Sequence, residues 1–292
     1  MSKNIFYMLL FIAMIGWGAS WVNAKVLSAY INEFEMIFIR YAITVVSMIP
    51  IILTMKLSFK IDIKSLLLAL LTSVVFILYL KYYFLGTKLG TASLGGAFVT
   101  TLVPIITFVM LVFLGSKEVK KKDIFALILG AVGVLTILDI WNASFEMLAN
   151  QANIYFVFAA FGWSIVTILS SKSTKVSPII FTFYLYVITV VLDALFLVDF
   201  SKIQVESFDN IFWINIFVVT IIASTFSNTI YFLGIEKLGT AEVSSFIFLV
   251  PFSAIGLSVI FLGEELKYSM IVGTVLTIFA VKILNNIRFR KV

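Results

Sequence analysis

Ten runs of apolar residues, each about as long as a bilayer is thick, dominate this sequence. A helix needs about 20 mostly apolar residues to cross the hydrocarbon core of a membrane. Of the 292 residues, 62% are hydrophobic and 12% are charged, whereas a soluble domain is nearer half apolar and a quarter charged. We therefore predict an all-α integral membrane protein with ten transmembrane helices and short loops. The runs span roughly residues 5–24, 36–55, 65–86, 91–115, 123–140, 153–170, 179–200, 211–234, 241–263 and 269–285.

Several kinds of chemistry are missing from the sequence. It contains no cysteine and no histidine, which excludes disulfides, thiol nucleophiles and cysteine-metal sites and removes the commonest general base and metal ligand. No glycine-rich phosphate loop ending in lysine and serine or threonine occurs either. We therefore expect no catalytic residues, no cofactor and no metal ion, and we expect that the protein is not an enzyme.

Basic residues are distributed unequally between alternate loops. With the N-terminus in the cytoplasm, four basic residues fall outside, namely Lys25, Lys88, Lys202 and Lys267, against fourteen inside. Short loops with excess lysine and arginine stay in the cytoplasm, so we predict a multi-pass protein of the inner membrane with both termini cytoplasmic. The positive charge then fixes the orientation of the protein in the lipid bilayer, and we expect no nucleic acid partner. The cytoplasmic set is Lys3, Lys56, Lys60, Lys64, Lys117, Lys120, Lys121, Lys122, Lys172, Lys175, Lys237, Arg288, Arg290 and Lys291.

The chain contains an internal repeat. Residues 83–92 recur at 231–241 with one insertion, 102–104 recur at 249–251, and 113–115 recur at 261–263. The repeat superimposes helices one to five on helices six to ten and predicts two halves, residues 1–146 and 147–292. Because five spans is an odd number, the halves must cross the membrane in opposite senses. Such inverted-topology repeats are typical of secondary transporters.

Short motifs in a fixed order run through both halves. They are residues 16–21, Arg40, residues 90–92, Pro104 and residues 130–133 in the first half, and residues 161–163, 239–241, Pro251 and 262–264 in the second. With these motifs the sequence resembles the drug/metabolite transporter superfamily, in its ten-helix branch of paired EamA domains. The resemblance implies export of small metabolites or drugs.

The sequence departs from this family pattern at two places. Leu185 stands where the repeat places the equivalent of Arg40, and residues 116–118 stand where the family usually has a glutamate directly after leucine and glycine.

Polar and aromatic side chains follow one face of helix three, and the repeat carries that face into helix eight. Residues three or four apart share a face of a helix, and lipid penalises polar side chains that it touches. Two interpretations stay open: hydrogen bonding between helices and the wall of a central cavity. The residues are Thr72, Phe76, Tyr79 and Tyr83 in helix three, and Thr220, Ser224, Ser227, Asn228 and Tyr231 in helix eight.

Tryptophans occupy equivalent places in helices one and six. A tryptophan at the end of a span usually belongs to the interfacial belt, and we give this interpretation to Trp21. Trp163 lies near mid-span, so we predict that it lines a cavity together with its counterpart Trp17. An aromatic wall suits amphipathic or aromatic cargo, including amino acids and cations.

Arg40, in the outer third of helix two, is the foremost charged candidate within the predicted spans. A charge at the bilayer centre costs about 2.5–3.5 kcal/mol on insertion scales. Arg40 either holds a substrate carboxylate or pairs with Glu35 near the outer mouth. The predicted substrate-binding residues are Trp17, Arg40, Tyr79, Tyr83, Trp163, Ser224 and Asn228.

Two further sets of residues are candidates for moving parts. Pro104 and Pro251 lie at equivalent mid-span places in helices four and nine, where proline bends a helix, as a fixed kink or as a gate. With no histidine, a proton has to be carried by an acid or a lysine, and the candidates are Glu35, Asp193 and Glu242. Glu242 also suits the first turn of helix nine as a cap, because the helix dipole favours an acid there.

Together these features predict a secondary transporter that exports small organic metabolites, such as amino acids or amphipathic amines and drugs. Its two inverted halves rock to give alternating access, with protons as the candidate coupling ion and a monomer or homodimer as the working unit. A lipid flippase or a membrane-embedded partner subunit is the alternative. A lipid-modifying enzyme is less favoured, because clustered acids, histidines or serines at the interface are absent.

Overall fold

A computed structural model of the chain describes residues 3–116, 118–142, 146, 149–173, 175–238 and 245–284. Throughout these residues the chain is helical with short connections, and none of them belongs to a β-strand. The main helices among these residues are α1 (Lys3–Leu27), α2 (Glu33–Thr54), α3 (Ile63–Leu89), α4 (Ala92–Phe113), α5 (Lys121–Ile137), α6 (Gln151–Ser171), α7 (Pro178–Phe196), α8 in three consecutive segments (Asn210–Phe217, Val218–Phe226 and Ser227–Leu238), α9 (Leu249–Leu262) and α10 (Tyr268–Leu284).

Seven of the described helices are long and apolar enough to cross a membrane. They are α1 to α4, α6, α7 and the stretch Asn210–Tyr231 of α8. The apolar part of α9 and α10 is shorter, and α5 has 17 residues. The predicted all-helical membrane class is therefore confirmed, while the number of ten spans stays a prediction.

Polar residues cap the helices where the chain leaves the apolar layer. Asn32 caps α2, and Asp209 caps α8 by accepting a hydrogen bond from the backbone N–H of Phe212 at 2.9 Å. Asp209 also accepts a hydrogen bond from the Tyr30 hydroxyl at 2.9 Å. The Phe212 bond foremost, and the Tyr30 bond with it, hold the pKa of the Asp209 carboxyl below its usual range, because they stabilise the charged form. This contact ties the connection between α1 and α2 to the start of α8.

The repeat is visible in how two of the helices end. Gly115 follows α4 with φ +67° and Gly263 follows α9 with φ +64°. Glycine adopts this left-handed conformation without the steric cost that other residues carry, and it commonly ends a helix there. The leucine–glycine pair at the same place in each half is thus a helix stop.

Helix packing follows the same twofold relation. In the first pair of matching contacts, α3 packs on α6 and α8 packs on α1. In the second, α4 packs on α6 and α9 packs on α1. Likewise, α3 contacts α7, and its equivalent α8 contacts α2, the equivalent of α7. Three pairs of equivalent helices also contact each other directly, namely α2 with α7, α4 with α9 and α5 with α10. Exchanging each helix with the one five places along maps these contacts onto one another. The interior therefore lies between two related halves that touch along their whole length.

Small residues bring the backbones of α5 and α10 close together where these two helices cross. A Cβ added to Gly273 would lie 2.6 Å from the backbone nitrogen of Ile137, and one added to Gly133 would lie 2.9 Å from that of Thr277. Without a hydrophobic drive between helices in lipid, close backbone approach at small residues supplies the association energy. The two glycines therefore set the distance between the halves at this crossing.

We predict that Gly273→Ala lowers the thermal stability of the protein in detergent, because the new methyl group meets backbone atoms that cannot rotate away. Overpacking of this kind costs about 1–3 kcal/mol. Gly256→Ala in α9 is the matched control, because a Cβ there meets nothing within 4 Å. Equal melting temperatures for the two variants would contradict the close crossing.

Candidate functional site

Five aromatic side chains meet where α2, α3, α6 and α7 converge, and we call them the aromatic cluster. The rings of Tyr41 and Tyr186 lie 4.7 Å apart between centroids, and Phe76 lies 5.7 Å from Tyr186. Tyr79 then links Phe76, at 5.8 Å, to Trp163, at 4.9 Å. Aromatic pairs at such distances attract one another beyond the burial of their area. Both halves contribute rings, so the cluster spans the boundary between them.

Arg40 lies directly beside the aromatic cluster and is 8% exposed. Its guanidinium carbon lies 5.3 Å from the ring centre of Tyr41, within cation–π range. Its Nε donates a hydrogen bond to Oγ of Ser224 at 3.0 Å. The contact crosses the boundary between the halves, because Arg40 belongs to the first and Ser224 to the second.

The alternative that Arg40 pairs with Glu35 is wrong. The Glu35 carboxylate accepts a hydrogen bond from the backbone N–H of Asn32 at 2.9 Å and so completes the cap of α2. No ion pair joins the two side chains, both of which are described. Local capping is available as soon as α2 forms, and it competes directly for the carboxylate.

Ser224 reaches Arg40 because α8 is a π-helix from Val218 to Phe226. Ser224 Oγ donates to the carbonyl oxygen of Val219 at 2.8 Å, five residues earlier. The hydroxyl proton is therefore used within α8, and the oxygen is left to accept from Arg40. The sequence predicted a helical span over this segment, and the structure shows that its middle is π-helical. Such π segments inside α-helices frequently occur at functional sites.

A chain of hydrogen bonds links the aromatic cluster to α1. Trp17 donates from Nε1 to Oδ1 of Asn228 at 2.9 Å, and Asn228 donates from Nδ2 to the Tyr186 hydroxyl at 2.6 Å. The Trp17 ring also lies 5.0 Å from that of Tyr231. Asn228 therefore satisfies two partners with its two ends, and its orientation is determined by both.

Tyr83 extends the site towards the end of α1. Its hydroxyl donates to the carbonyl oxygen of Ser20 at 2.8 Å, and its ring lies 5.9 Å from that of Tyr79. Trp21 packs edge-on against Tyr83 at 4.4 Å and is 3% exposed. The interpretation of Trp21 as an interfacial belt residue is therefore wrong, because α4 and α6 cover it.

The seven predicted binding residues thus form one connected set, joined by ring contacts and hydrogen bonds. Sequence reasoning missed Tyr41 and Tyr186, which connect its two ends. A signal for them existed: the repeat aligns Arg40 with Leu185, so it also aligns Tyr41 with Tyr186. Two equivalent residues that lie close to the axis relating the halves contact each other, as these two rings do.

The two described candidates for carrying a proton, Glu35 and Asp193, make no hydrogen bond to the residues of this site. Asp193 in α7 is fully buried, and neither of its carboxylate oxygens has a hydrogen-bond partner. The backbone N–H of Phe38 approaches it without reaching hydrogen-bond geometry. Glu35 serves as the cap described above, and Glu242 lies outside the described residues.

The two predicted gating prolines lie in different settings. Pro104 is inside the continuous helix α4, whereas Pro251 is the third residue of α9, directly after a 3₁₀ turn at Ser245–Phe248. Proline is tolerated in the first turn of an α-helix because its missing N–H has no partner there. The equivalence of the two positions in sequence is therefore not an equivalence in local structure.

Glu264 makes a second contact between the halves, away from the aromatic cluster. Its two carboxylate oxygens accept hydrogen bonds from the backbone N–H groups of Ala92 and Ser93, at 2.7 and 2.9 Å. Beside it, Lys25 donates to the carbonyl oxygens of Lys88 and Gly90 at 2.8 and 2.7 Å. A carboxylate at a helix N-terminus is favoured by the helix dipole and by charged hydrogen bonds. We call this contact the carboxylate clamp.

Comparison with known proteins identifies what this arrangement is similar to. The model of the EamA-like transporter family matches residues 4–139 and again residues 150–286. The chain is 25% identical over 300 residues to an uncharacterized transporter, YrdR, of Bacillus subtilis (strain 168), covering 96% of this chain and 90% of that one. A solved crystal structure superposes with a TM-score of 0.65 over 99% of this chain and 100% of its own, at 15% identity, and so supports the fold.

We predict that Asn228→Leu destabilises the protein, because it leaves the Trp17 N–H and the Tyr186 hydroxyl without their partner. Leaving a buried polar group unsatisfied costs about 1–3 kcal/mol. The measurement is thermal unfolding in detergent. Asn142→Leu is the control, because Asn142 makes a side-chain hydrogen bond of similar length, 2.9 Å, in an exposed place. Equal effects of the two substitutions would contradict the role given to Asn228.

Proposed function

This chain belongs to the EamA-like transporter family, and from that premise we propose that it is a secondary transporter exporting small organic metabolites. We propose that it lies in the inner membrane as ten spans, with both termini in the cytoplasm. The two halves, residues 1–146 and 147–292, then cross the membrane in opposite senses. Family membership also argues for a carrier over an enzyme.

The main observation in support of the proposal is that residues of both halves bond to each other at the central site. The Arg40–Ser224 and Trp17–Asn228 hydrogen bonds each join the first half to the second. Any movement of one half against the other must therefore break or remake contacts at this site. A ligand that interacts differently with the two arrangements shifts the balance between them, which is what alternating access requires.

The carboxylate clamp supports a rocking mechanism. In the proposed topology it lies at the outer mouth, where Glu264 and the N-terminus of α4 close the gap between the halves. The repeat places Ser116 where Glu264 stands in the second half. The corresponding contact at the inner mouth would lack a carboxylate at that position. We propose that this difference favours closure of the outer mouth over the inner one.

Proton coupling is the proposed source of energy, and Asp193 is its best-supported carrier. A buried carboxylate with no hydrogen-bond partner is costly to keep charged. The same group is therefore suited to take up a proton in one arrangement of the halves and release it in the other. Pro104 and Pro251 stay candidates for the bends that accompany the movement.

The proposed function is tested by reconstitution in liposomes with a panel of labelled amino acids, organic acids and amines. We expect counterflow of at least one solute, reduced by at least about tenfold in Trp163→Ala because a cluster ring is lost. Trp141→Ala is the control, since Trp141 is 69% exposed. Movement of labelled lipid with no solute transport would contradict the proposal and favour a flippase.

The clamp makes a separate prediction about access. A cysteine placed at Ala97, fully buried one turn below the clamp, should react slowly with a membrane-impermeant maleimide added from outside. Glu264→Ala should speed this labelling several-fold, because both bonds to α4 are lost. Glu265→Ala, at the exposed neighbouring residue, is the matched control. Equal labelling in the two variants would refute a closed outer mouth held by Glu264.

A further inference from the structure

Arg40 is a buried cation whose described surroundings contain no anion. It is 8% exposed, its Nε bonds the Ser224 hydroxyl, it lies over the Tyr41 ring, and the Tyr83 hydroxyl is a further neutral neighbour. The side chains on which its charge acts most strongly are four tyrosines, and no described aspartate or glutamate forms an ion pair with it. Charges inside a membrane protein normally pair with one another. The counter-charge is thus absent from the described part of the chain.

Neutral partners do not replace an anion. An arginine side chain keeps its charge in proteins, so Arg40 cannot become neutral to suit its surroundings. The hydroxyl of Ser224 and the face of Tyr41 offer only partial negative charge. The hydrogen bond shown uses Nε, on one side of the guanidinium, whereas carboxylates bind arginine best with two parallel bonds to its planar fork.

We propose, on the basis of the transport function above, that Arg40 is the specificity-determining residue and that the substrates are organic carboxylates with an apolar or aromatic body. The carboxylate binds the Arg40 guanidinium, and the body lies against the aromatic cluster. The substrate then supplies the missing charge.

The site also disfavours amines. An ammonium group in the aromatic cluster would lie near the positive charge of Arg40, and none of the described residues at the site supplies a carboxylate to balance it. Like charges at short range in a dry environment repel strongly. This narrows the proposed cargo, because the site favours carboxylates over amphipathic amines and cationic drugs.

Tyr186 is placed to assist an anion. Its hydroxyl oxygen accepts a hydrogen bond from Asn228 at 2.6 Å, which leaves its proton free to donate. Tyr83, in contrast, already donates its proton to Ser20. The Tyr186 hydroxyl is therefore able to donate to a carboxylate beside Arg40.

The test is calorimetric titration of the purified full chain in detergent with three compounds that share an indole ring. Indole-3-acetate carries only a carboxylate, tryptophan carries a carboxylate and an ammonium, and tryptamine carries only an ammonium. We expect indole-3-acetate to bind most tightly and tryptamine to bind at least about tenfold more weakly, a difference of about 1.4 kcal/mol. Equal or tighter binding of tryptamine, or no binding of indole-3-acetate, overturns the inference.

Variants then assign the preference to Arg40. Arg40→Gln should abolish the difference between the acid and the amine, and Arg40→Lys, which keeps the charge but not the fork, should retain part of it. Lys81→Gln is the matched control, because it also removes a cation from the membrane region but its ammonium lies against Phe34, at 5.6 Å from the ring centre. If Arg40→Gln does not fold, Arg40→Lys and Tyr186→Phe provide the test through weaker carboxylate binding. Unchanged selectivity in the folded Arg40 variants overturns the inference.

Transport measurements in liposomes distinguish this inference from the proposed function. Selective binding of carboxylates without any movement across the bilayer would refute transport and leave the Arg40 site intact. Transport of amines that Arg40→Gln does not alter would refute the carboxylate site and leave the transporter intact.

Discussion

Lipid offers no hydrogen bonds, so every polar group within a membrane-spanning helix needs a protein partner. This constraint organises the interior of the molecule. The side chains of Trp17, Asn228 and Tyr186 satisfy one another, and Ser224 divides its hydroxyl between Val219 and Arg40. These contacts hold α1, α2, α7 and α8 in register around the aromatic cluster. Asp193 lacks such a partner, and this is why we propose that it has a functional role, the carrying of a proton.

The molecule combines a symmetric frame with an asymmetric centre. Helix stops at Gly115 and Gly263 and the matched helix contacts follow the repeat closely. At the centre, however, Arg40 in the first half corresponds to Leu185 in the second, and the π segment of α8 corresponds to regular helix in α3. Symmetry makes two similar arrangements of the halves attainable. The single cation, Arg40, is the basis of the charge selectivity that we propose for the site between them.

The carboxylate clamp and the central site are two of the contacts between the halves, and they differ in chemistry and in place. The carboxylate clamp is built from backbone N–H groups and one acid, whereas the central site is built from rings and one base. Both join residues of the first half to residues of the second, so both respond to the same relative movement. We therefore propose that substrate binding at Arg40 and the bond at Glu264 are coupled through the helices that carry them, in particular α4, which meets both α6 and α9.

The sequence alone predicted the helical membrane class, the two repeats and seven of the residues at the candidate site, but not Tyr41 and Tyr186. These predictions follow from patterns that are local or periodic: apolar runs, helical spacing and the repeat. The repeat also aligns Tyr41 with Tyr186, so this pair could have been predicted from the sequence.

Only the tertiary structure decided which residues are partners. Arg40 contacts Ser224, 184 positions away, and not Glu35, five positions away, because the capping of α2 occupies that carboxylate and because the π segment of α8 turns Ser224 towards α2. Trp21 is buried and not interfacial because α4 and α6 cover it. Partner choice depends on packing between distant helices, and hydrophobic periodicity, which identifies the helices themselves, carries no information about that packing.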